Sequence, residues 1–253
     1  MAYHCAMVPS PRQITILSSL RKWYRRECLK RGVLGTGAQL ARISWQFLLD
    51  STPESRRRRY GDMDFDWNLR VDTTSATVSW RERLLGTLHS PYQPTDPALF
   101  EEMMSRLPLE LSNFTFIDIG SGKGRVPLMA AQYPFRRIIG IELLPALHRT
   151  AVSNVDKLRS ATAIGANIEL LQMDANGFEF PVEPTVLYLF NPLPEECLEK
   201  FFIRLSASLE RSPREVWIVY HNPILEHVLA THKQFDRVEG TNQYVLYRSR
   251  TAG

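Results

Sequence analysis

The chain has 253 residues, of which 44% are hydrophobic and 23% are charged, with a formal net charge of +4. This composition is too apolar for a disordered protein, and the length suits one α/β domain with an appendage or two small domains. The three cysteines, Cys5, Cys28 and Cys197, form no CxxC pair, so we expect no disulfide scaffold, no metal site and a reducing, cytoplasmic location. The longest apolar runs are far shorter than the roughly 20 residues of a membrane helix, and no membrane span is expected.

Basic residues are concentrated in the N-terminal part of the chain. Residues 1–60 contain 12 Lys/Arg and 3 Asp/Glu, a net charge of +9, whereas the remainder carries −5. We expect residues 1–60 to form a basic helical extension that is either a solvated surface or, through residues 12–59, a contact for nucleic acid. Because the first 26 residues hold several arginines and no acid, an organelle-targeting peptide is a further alternative.

The extension is predicted to contain two helices. Apolar residues recur every three or four positions over 14–29 and again over 39–49, with three glycines between them. Residues 61–95 are predicted to be a connecting or lid segment. Within that segment, residues 62–77 have no clear periodicity, which favours irregular structure there.

The remaining residues, 96–253, alternate helices and strands. Strands are predicted at 114–119, 137–142, 168–173, 186–190, 215–220, 235–238 and 244–247. Helices are predicted at 97–107, with Asp96 as N-cap, and at 123–133, 145–161, 195–209 and 224–232. Because strands separated by helices form parallel crossover units, we predict an α/β fold with a doubly wound, mostly parallel sheet. A turn at 240–242 makes the last two strands a hairpin, which inserts one antiparallel strand.

The most informative motif is the loop from Asp118 to Arg125, which follows a strand and opens a helix. Gly120 and Gly122 allow a sharp turn and a close approach of a ligand, and the helix start offers free N–H groups. Glu142 ends the next strand, where a carboxylate can accept hydrogen bonds from ribose hydroxyls. These positions predict a nucleoside-binding site at the carboxyl edge of the sheet.

The spacing of this loop distinguishes between two nucleoside cofactors. A dinucleotide fingerprint is G-x-G-x-x-G/A, whereas this loop is G-x-G-x-G and begins two residues after Asp118. A carboxylate at that position repels a pyrophosphate and suits a cationic group. We therefore predict S-adenosyl-L-methionine, whose amino group and sulfonium are positive, rather than NAD.

Over about residues 90–248 the sequence resembles the class I, seven-strand S-adenosylmethionine-dependent methyltransferases, which have a Rossmann-like sheet with an antiparallel last strand. The resemblance implies a loop that holds the methionine end of the cofactor, an acid that binds the ribose and an acid that faces the adenine amino group. The loop corresponds to Asp118 with Gly120, Ser121, Gly122 and Gly124. The ribose acid corresponds to Glu142, and the acid at the adenine to Asp174, followed by Ala175.

The segment Tyr92-Gln93-Pro94-Thr95 is similar to the cofactor-lid segment of the disruptor-of-telomeric-silencing lysine methyltransferases, which has Tyr-Gly-Glu-Thr. The resemblance implies that Tyr92 and Thr95 lie against the cofactor and that the acceptor is a lysine side chain. The alternative is an extended turn before the next helix, which the neighbouring prolines favour.

Asn191-Pro192-Leu193-Pro194 follows the fourth predicted strand and resembles the Asn-Pro-Pro-Tyr/Phe motif of nitrogen methyltransferases. The resemblance implies that the Asn191 side chain, close to the cofactor, and the Pro192 carbonyl accept hydrogen bonds from the amine. Pro194 replaces the aromatic that stacks on a flipped base in adenine methyltransferases, which argues against a nucleic-acid acceptor.

His221 ends the fifth predicted strand on the same sheet edge. It is a candidate base for the proton that an ammonium acceptor must lose; the alternative is a hydrogen-bonded strand-end residue. We thus predict an enzyme that N-methylates a protein lysine side chain. An RNA or DNA methyltransferase that uses the basic N-terminal region and a small-molecule methyltransferase are the alternatives, and no oligomeric state is predicted.

Overall fold

The fold is built on one seven-stranded sheet, seen in a computed structural model that describes residues 16–50, 63–74, 93–161 and 167–250. The strands are β1 (Thr115–Ile119), β2 (Arg137–Glu142), β3 (Ile168–Gln172), β4 (Thr185–Phe190), β5 (Val216–His221), β6 (Phe235–Gly240) and β7 (Tyr244–Ser249). Their order is β3-β2-β1-β4-β5-β7-β6. Strands β1 to β5 pair in parallel, and β7 runs antiparallel to both β5 and β6. The predicted doubly wound sheet with one inserted antiparallel strand is confirmed.

Helices cover both faces of this sheet. Those in the described residues are α1 (Ile16–Asp50), α2 (Met63–Leu69), α3 (Pro97–Ser105), α4 (Arg125–Ala130), α5 (Pro145–Ala161), α6 (Glu195–Arg211) and α7 (Glu226–Ala230). Short 3-10 helices follow at Leu111–Asn113 and Ala175–Gly177. No helix in the four described ranges is long and apolar enough to cross a membrane.

The central strands are buried along their whole length because helices pack on both of their sides. All five residues of β1 are buried, and alternate side chains serve two separate cores. Phe116 joins the core beneath α3, α4 and α5, whereas Ile117 joins the core beneath α6. This explains the continuous apolar runs in the sequence, since a parallel strand covered on two faces has no polar side.

The two helices predicted for the N-terminal extension are seen as the two parts of α1, which meet at a kink where the backbone of Gly32 is non-helical (φ 69°). One local prediction on the N-terminal side needs correction. The prediction of irregular structure over 62–77 is wrong for 63–69, which form α2. Helix α2 has only seven residues, too few to show a helical period, and it is stabilised because Phe65 and Leu69 pack on the core.

The sheet order creates one crevice at its carboxyl edge. Strands β1 and β4 are neighbours, yet the chain leaves β1 toward β2 on one side and continues from β4 toward β5 on the other. At such a topological switch point the loops after the two strands diverge and leave room for a ligand. The loops concerned are 120–124 after β1 and 191–194 after β4.

Candidate active site

The glycine-rich loop after β1 is held in a conformation that only glycine adopts easily. Gly120, Gly122 and Gly124 have φ values of 79°, 55° and 83°. The N–H groups of Gly120 and Ser121 both donate to the carbonyl of Ile141, at 2.8 and 2.9 Å, which fastens the loop to the end of β2. A side chain at Gly120 would also place its Cβ 2.7 Å from the Cβ of Pro192. The two loops of the crevice therefore meet at this glycine.

Glu142, predicted to bind a ribose, lies at the end of β2 against the same loop. Its two carboxylate oxygens accept hydrogen bonds from the N–H of Gly122 (2.8 Å) and of Leu144 (2.6 Å). Burial raises the pKa of Glu142, while these backbone donors act in the opposite direction. The carboxylate thus also fixes the shape of the glycine-rich loop.

Asp118, the last acid before the glycines, is almost completely buried, with 3% of its surface exposed. Burial and the neighbouring charge of Glu142 raise its pKa well above the usual range. A cationic group in the crevice would relieve both effects, whereas a pyrophosphate would add to them. This pair of carboxylates fits the positively charged amino group and sulfonium of S-adenosylmethionine, as the sequence predicted.

Asp174 and Ala175 follow β3, next to the end of β2. The N–H of Met173 donates to the carbonyl of Glu142 (3.1 Å), which brings the Asp174 segment beside Glu142, the acid predicted to bind the ribose. The Asp174 side chain is exposed and caps the following 3-10 helix through the N–H of Asn176 (2.9 Å). Ala175 is buried in the core. The acids predicted for three parts of the cofactor thus lie at or just beyond the ends of three adjacent strands, β1, β2 and β3.

Asn191, the candidate acceptor-binding residue, takes a left-handed backbone (φ 43°) directly after β4. Asparagine tolerates this conformation better than most residues. Its side-chain oxygen accepts a hydrogen bond from the hydroxyl of Tyr220 on β5 (3.0 Å). The sequence analysis missed Tyr220, although a tyrosine in an otherwise apolar strand generally has a partner for its hydroxyl.

His221 ends β5 and is the last member of a buried hydrogen-bond chain. The Tyr188 hydroxyl lies 2.8 Å from His221 Nδ1 and 2.8 Å from the Thr95 hydroxyl. Phe190 stacks on the imidazole, with ring centroids 3.9 Å apart. Burial lowers the pKa of His221 to about 4, against a small opposing effect of Asp96, so the imidazole is neutral at pH 7. Burial also raises the pKa of Tyr188, which stays protonated.

Thr95 and Tyr92 were both predicted to contact the cofactor. Thr95 is buried and its hydroxyl faces Tyr188, so it connects the segment before α3 to the crevice edge. Tyr92 lies outside the described residues, as do the four arginines at 56–59. Tyr188 was not predicted, and its hydroxyl inside the apolar strand β4 is the only signal that could have revealed it.

With a seven-stranded sheet in this order and a glycine-rich loop flanked by acids at the switch point, the chain has the fold and the cofactor edge of a class I methyltransferase. The model of a family described as "Putative methyltransferase" matches residues 112–206, which contain β1 to β4, the loops after both strands of the crevice and most of α6. This protein is therefore an S-adenosylmethionine-dependent methyltransferase. No curated protein matches its sequence.

Several solved structures are similar to this chain. "Putative methyltransferase yhhF" from Escherichia coli is 18% identical, with 64% of this chain and 90% of that chain covered and a TM-score of 0.49. A ribosomal protein L11 methylase from Lactobacillus delbrueckii subsp. bulgaricus is 17% identical over 61% and 77%, with a TM-score of 0.44. A "predicted N6-adenine-specific DNA methylase" from Listeria monocytogenes is 15% identical over 63% and 52%, with a TM-score of 0.47.

Proposed function

We propose that this methyltransferase acts on nitrogen and that its acceptor is the side-chain amine of a protein lysine. The observation that carries the proposal is the fixed carboxamide of Asn191, whose oxygen is held by Tyr220 (3.0 Å). Asn191 precedes Pro192, which touches the glycine-rich loop. A carboxamide oxygen held beside the cofactor loop can accept a hydrogen bond from an amine and direct its lone pair.

Positioning is the main task of the protein in this reaction. Bound S-adenosylmethionine supplies the methyl group from its sulfonium. Displacement at that carbon needs little acid-base chemistry, and correct alignment of the reacting groups supplies most of the rate. The carbonyl of Pro192, next in the chain, is proposed as a second acceptor for the amine. A hydroxyl acceptor has one O–H donor, whereas a primary amine has two N–H donors, so a hydroxyl would leave one of these two oxygens without a hydrogen bond.

His221 is proposed to take up the proton that the lysine ammonium releases. In the tautomer with hydrogen on Nδ1, the imidazole donates to Tyr188 and leaves the lone pair of Nε2 available. Its pKa of about 4 leaves the imidazole unprotonated at pH 7, so Nε2 can receive the proton. The same low pKa makes the ring a weak base, so the proton must pass on to solvent as it is released. Tyr188 and Thr95 hold the ring in place for this step.

A cleft of about 430 Å³ beside the acceptor loop is the proposed entrance for the peptide. It lies between α1 and the start of α6, directly beyond Pro194. On the α6 side Glu195 and Glu196 line it, and on the α1 side Glu27 lies among three basic residues, so acidic and basic side chains are equal in number; the basic ones are Arg26, Lys30 and Arg31. On the α1 side, Lys30 pairs with Glu196 at 3.3 Å and so joins the two walls.

A nucleic-acid methyltransferase is the second candidate, because α1 carries arginines that face solvent. Arg21, Arg25 and Arg42 are exposed. If they contact phosphates, affinity for RNA or DNA should fall by close to one log unit per contacted phosphate for each tenfold rise in salt. A flat response to salt in a binding titration excludes this candidate.

The test of the proposed function is transfer of tritiated methyl groups into a cell lysate, divided into protease-treated and nuclease-treated halves. We expect the label to be lost with protease and retained with nuclease, and mass spectrometry to find methyl-lysine. The variant Asn191→Gly removes the carboxamide while easing the left-handed backbone, and we expect about 100-fold slower transfer with little change in cofactor affinity.

The control is Asn222→Gly, which changes the same residue type in the same conformation (φ 47°) at the end of the neighbouring strand β5. It should retain most of the activity. Label that survives protease but not nuclease, or full activity of Asn191→Gly, would contradict the lysine proposal.

A further inference from the structure

Lys123 belongs to the glycine-rich loop, yet its ammonium group is turned away from solvent and toward the N-terminal part of the chain. Only 3% of the residue is exposed. Its Nζ donates to Asp72 Oδ1 and to the carbonyl of Thr74, both at 2.9 Å. A lysine in a loop that receives a cationic cofactor is unexpected, and these contacts explain how its charge is neutralised.

The residues that hold Lys123 form a compact unit, here called the strap (residues 63–74). Helix α2 is closed onto the following turn by Asp66, whose carboxylate accepts hydrogen bonds from the N–H groups of Thr73 (2.6 Å) and Thr74 (3.0 Å) and from the Thr73 hydroxyl. The N–H of Val71 donates to the Asp66 carbonyl at 3.0 Å. The strap can therefore dock on the loop as one body.

A second tether joins the strap to the same loop. Asn154 on α5 is completely buried, and its carboxamide accepts from the N–H of Asp72 (2.9 Å) and donates to the Asp72 carbonyl (2.8 Å). It also donates to the backbone carbonyl of Lys123 (3.0 Å). One side chain thus fixes the backbone of the strap and of the glycine-rich loop relative to each other.

A third contact lies at the start of the next helix. The Arg125 guanidinium lies over the ring of Phe65 in α2, 4.6 Å from its centroid. The two basic residues of the motif, Lys123 and Arg125, thus both contact the strap. Gly122, which precedes Lys123, donates its N–H to Glu142, so the strap contacts lie next to the acid predicted to bind the ribose.

We propose that the strap is part of the cofactor-binding unit and that Lys123, Asp72 and Asn154 are positioning residues for the glycine-rich loop. With the strap docked, the loop holds the shape that receives the cofactor. Release of the strap removes Asp72 and the Thr74 carbonyl from the Lys123 ammonium, and the loop must then rearrange to solvate that charge. Docking and cofactor binding are then coupled, and each must favour the other by the same factor. This inference concerns the cofactor and is independent of the proposed lysine acceptor.

The test uses the full-length protein and S-adenosylhomocysteine, with affinity measured by calorimetry and strap opening measured by amide hydrogen exchange. In the wild type, we expect the ligand to slow exchange at residues 71–74, whose amides bond to Asp66 and Asn154. Lys123→Met should raise the Kd at least tenfold and reduce this ligand-induced protection. Lys200→Met, at an exposed lysine of α6, is the matched control and should leave both unchanged.

Asp72→Asn provides a second variant in case Lys123→Met fails to fold, because the Asp72 side chain is 41% exposed and removal of its charge is milder. It should raise the Kd several-fold, and Lys123→Arg should restore affinity relative to Lys123→Met. An unchanged Kd in a folded variant whose strap exchanges faster would overturn the proposal, as would a wild type whose strap gains no protection from the ligand. Failure of the wild type to bind S-adenosylhomocysteine would also overturn the proposed coupling between strap and cofactor, and this outcome would not depend on which acceptor the enzyme methylates.

Discussion

The hydroxyl of Tyr188 offers a quantitative test of the buried chain at the crevice. Tyr188→Phe retains the ring, which packs against Phe100 with centroids 5.9 Å apart, and removes only the oxygen. Two buried groups then lose a partner at once: the Thr95 hydroxyl and His221 Nδ1, each 2.8 Å from that oxygen. Tyr188 is 1% exposed, so bulk water does not replace the lost bonds.

The expected cost follows from these two contacts. A buried polar group left without its partner costs about 1–3 kcal/mol, so the pair should cost about 3 kcal/mol. For a chain of this size, 1 kcal/mol corresponds to a change of about 2–4 °C in Tm, so we expect a decrease of about 6–12 °C. Cofactor affinity should change little, because the substitution removes only the hydroxyl, which bonds to Thr95 and His221, and leaves the backbone pairing of Tyr188 with Asp118 in place.

The assay is urea unfolding together with thermal melting, and Tyr133→Phe is the matched control. Tyr133 packs on the same Phe100 ring, at 6.0 Å, but is only half-buried, so its loss of a hydroxyl should cost less than about 1 kcal/mol. A double-mutant cycle of Tyr188→Phe with Thr95→Val should show a coupling of about 1 kcal/mol. A Tm for Tyr188→Phe within about 2 °C of the control, or strict additivity with Thr95→Val, would refute the assigned bonding, because the hydroxyl would then contribute far less than two buried hydrogen bonds.

Two further predictions follow from the site. Gly120→Ala should weaken S-adenosylhomocysteine binding about tenfold or more in calorimetry, because the backbone of Gly120 has φ 79° and the new Cβ would lie 2.7 Å from Pro192. The control is Gly177→Ala, whose Cβ would lie 3.6 Å from Met173 and which should bind as the wild type does. Equal affinities of the two variants would contradict the predicted role of Gly120. The pKa of His221 is lowered to about 4 in the folded protein, below the ordinary value of about 6.5 that it has in the unfolded chain. Between these two pH values the unfolded chain binds more protons, so the free energy of unfolding should rise with pH by up to about 3 kcal/mol. Urea titrations at several pH values should find this slope reduced in His221→Gln, and parallel curves for the two proteins would count against a buried neutral imidazole.

Much of the fold was accessible from the sequence because its signals are local. The apolar run of β1, the capping pair Asp96-Pro97 and the turn before β7 each act within a few residues, and all three are seen as predicted. Helix α2 was missed for the opposite reason. It owes its existence to Phe65 and Leu69 packing on a core whose other members lie far along the chain.

The candidate site divides in the same way. Asp118, Glu142 and Asp174 could be singled out because each lies at or just beyond the end of a strand, and parallel strands bring their carboxyl ends to one edge. The effect of Glu142 on the pKa of Asp118, by contrast, depends on burial and on the distance between neighbouring strands, which periodicity does not contain. The same holds for Tyr220 and Tyr188, whose partners are 29 and 33 residues away in the chain.

By itself, the sequence determined the order of the strands' connections, the glycine-rich turn and the type of cofactor that its acids accept. Only the tertiary structure decided what the basic residues of that turn contact. Lys123 and Asp72 are 51 residues apart, and no local pattern connects an ammonium in one loop with a carboxylate in a segment that looked irregular. Burial is the physical reason, because an ammonium removed from water must find acceptors wherever the fold brings them, and here the strap supplies them.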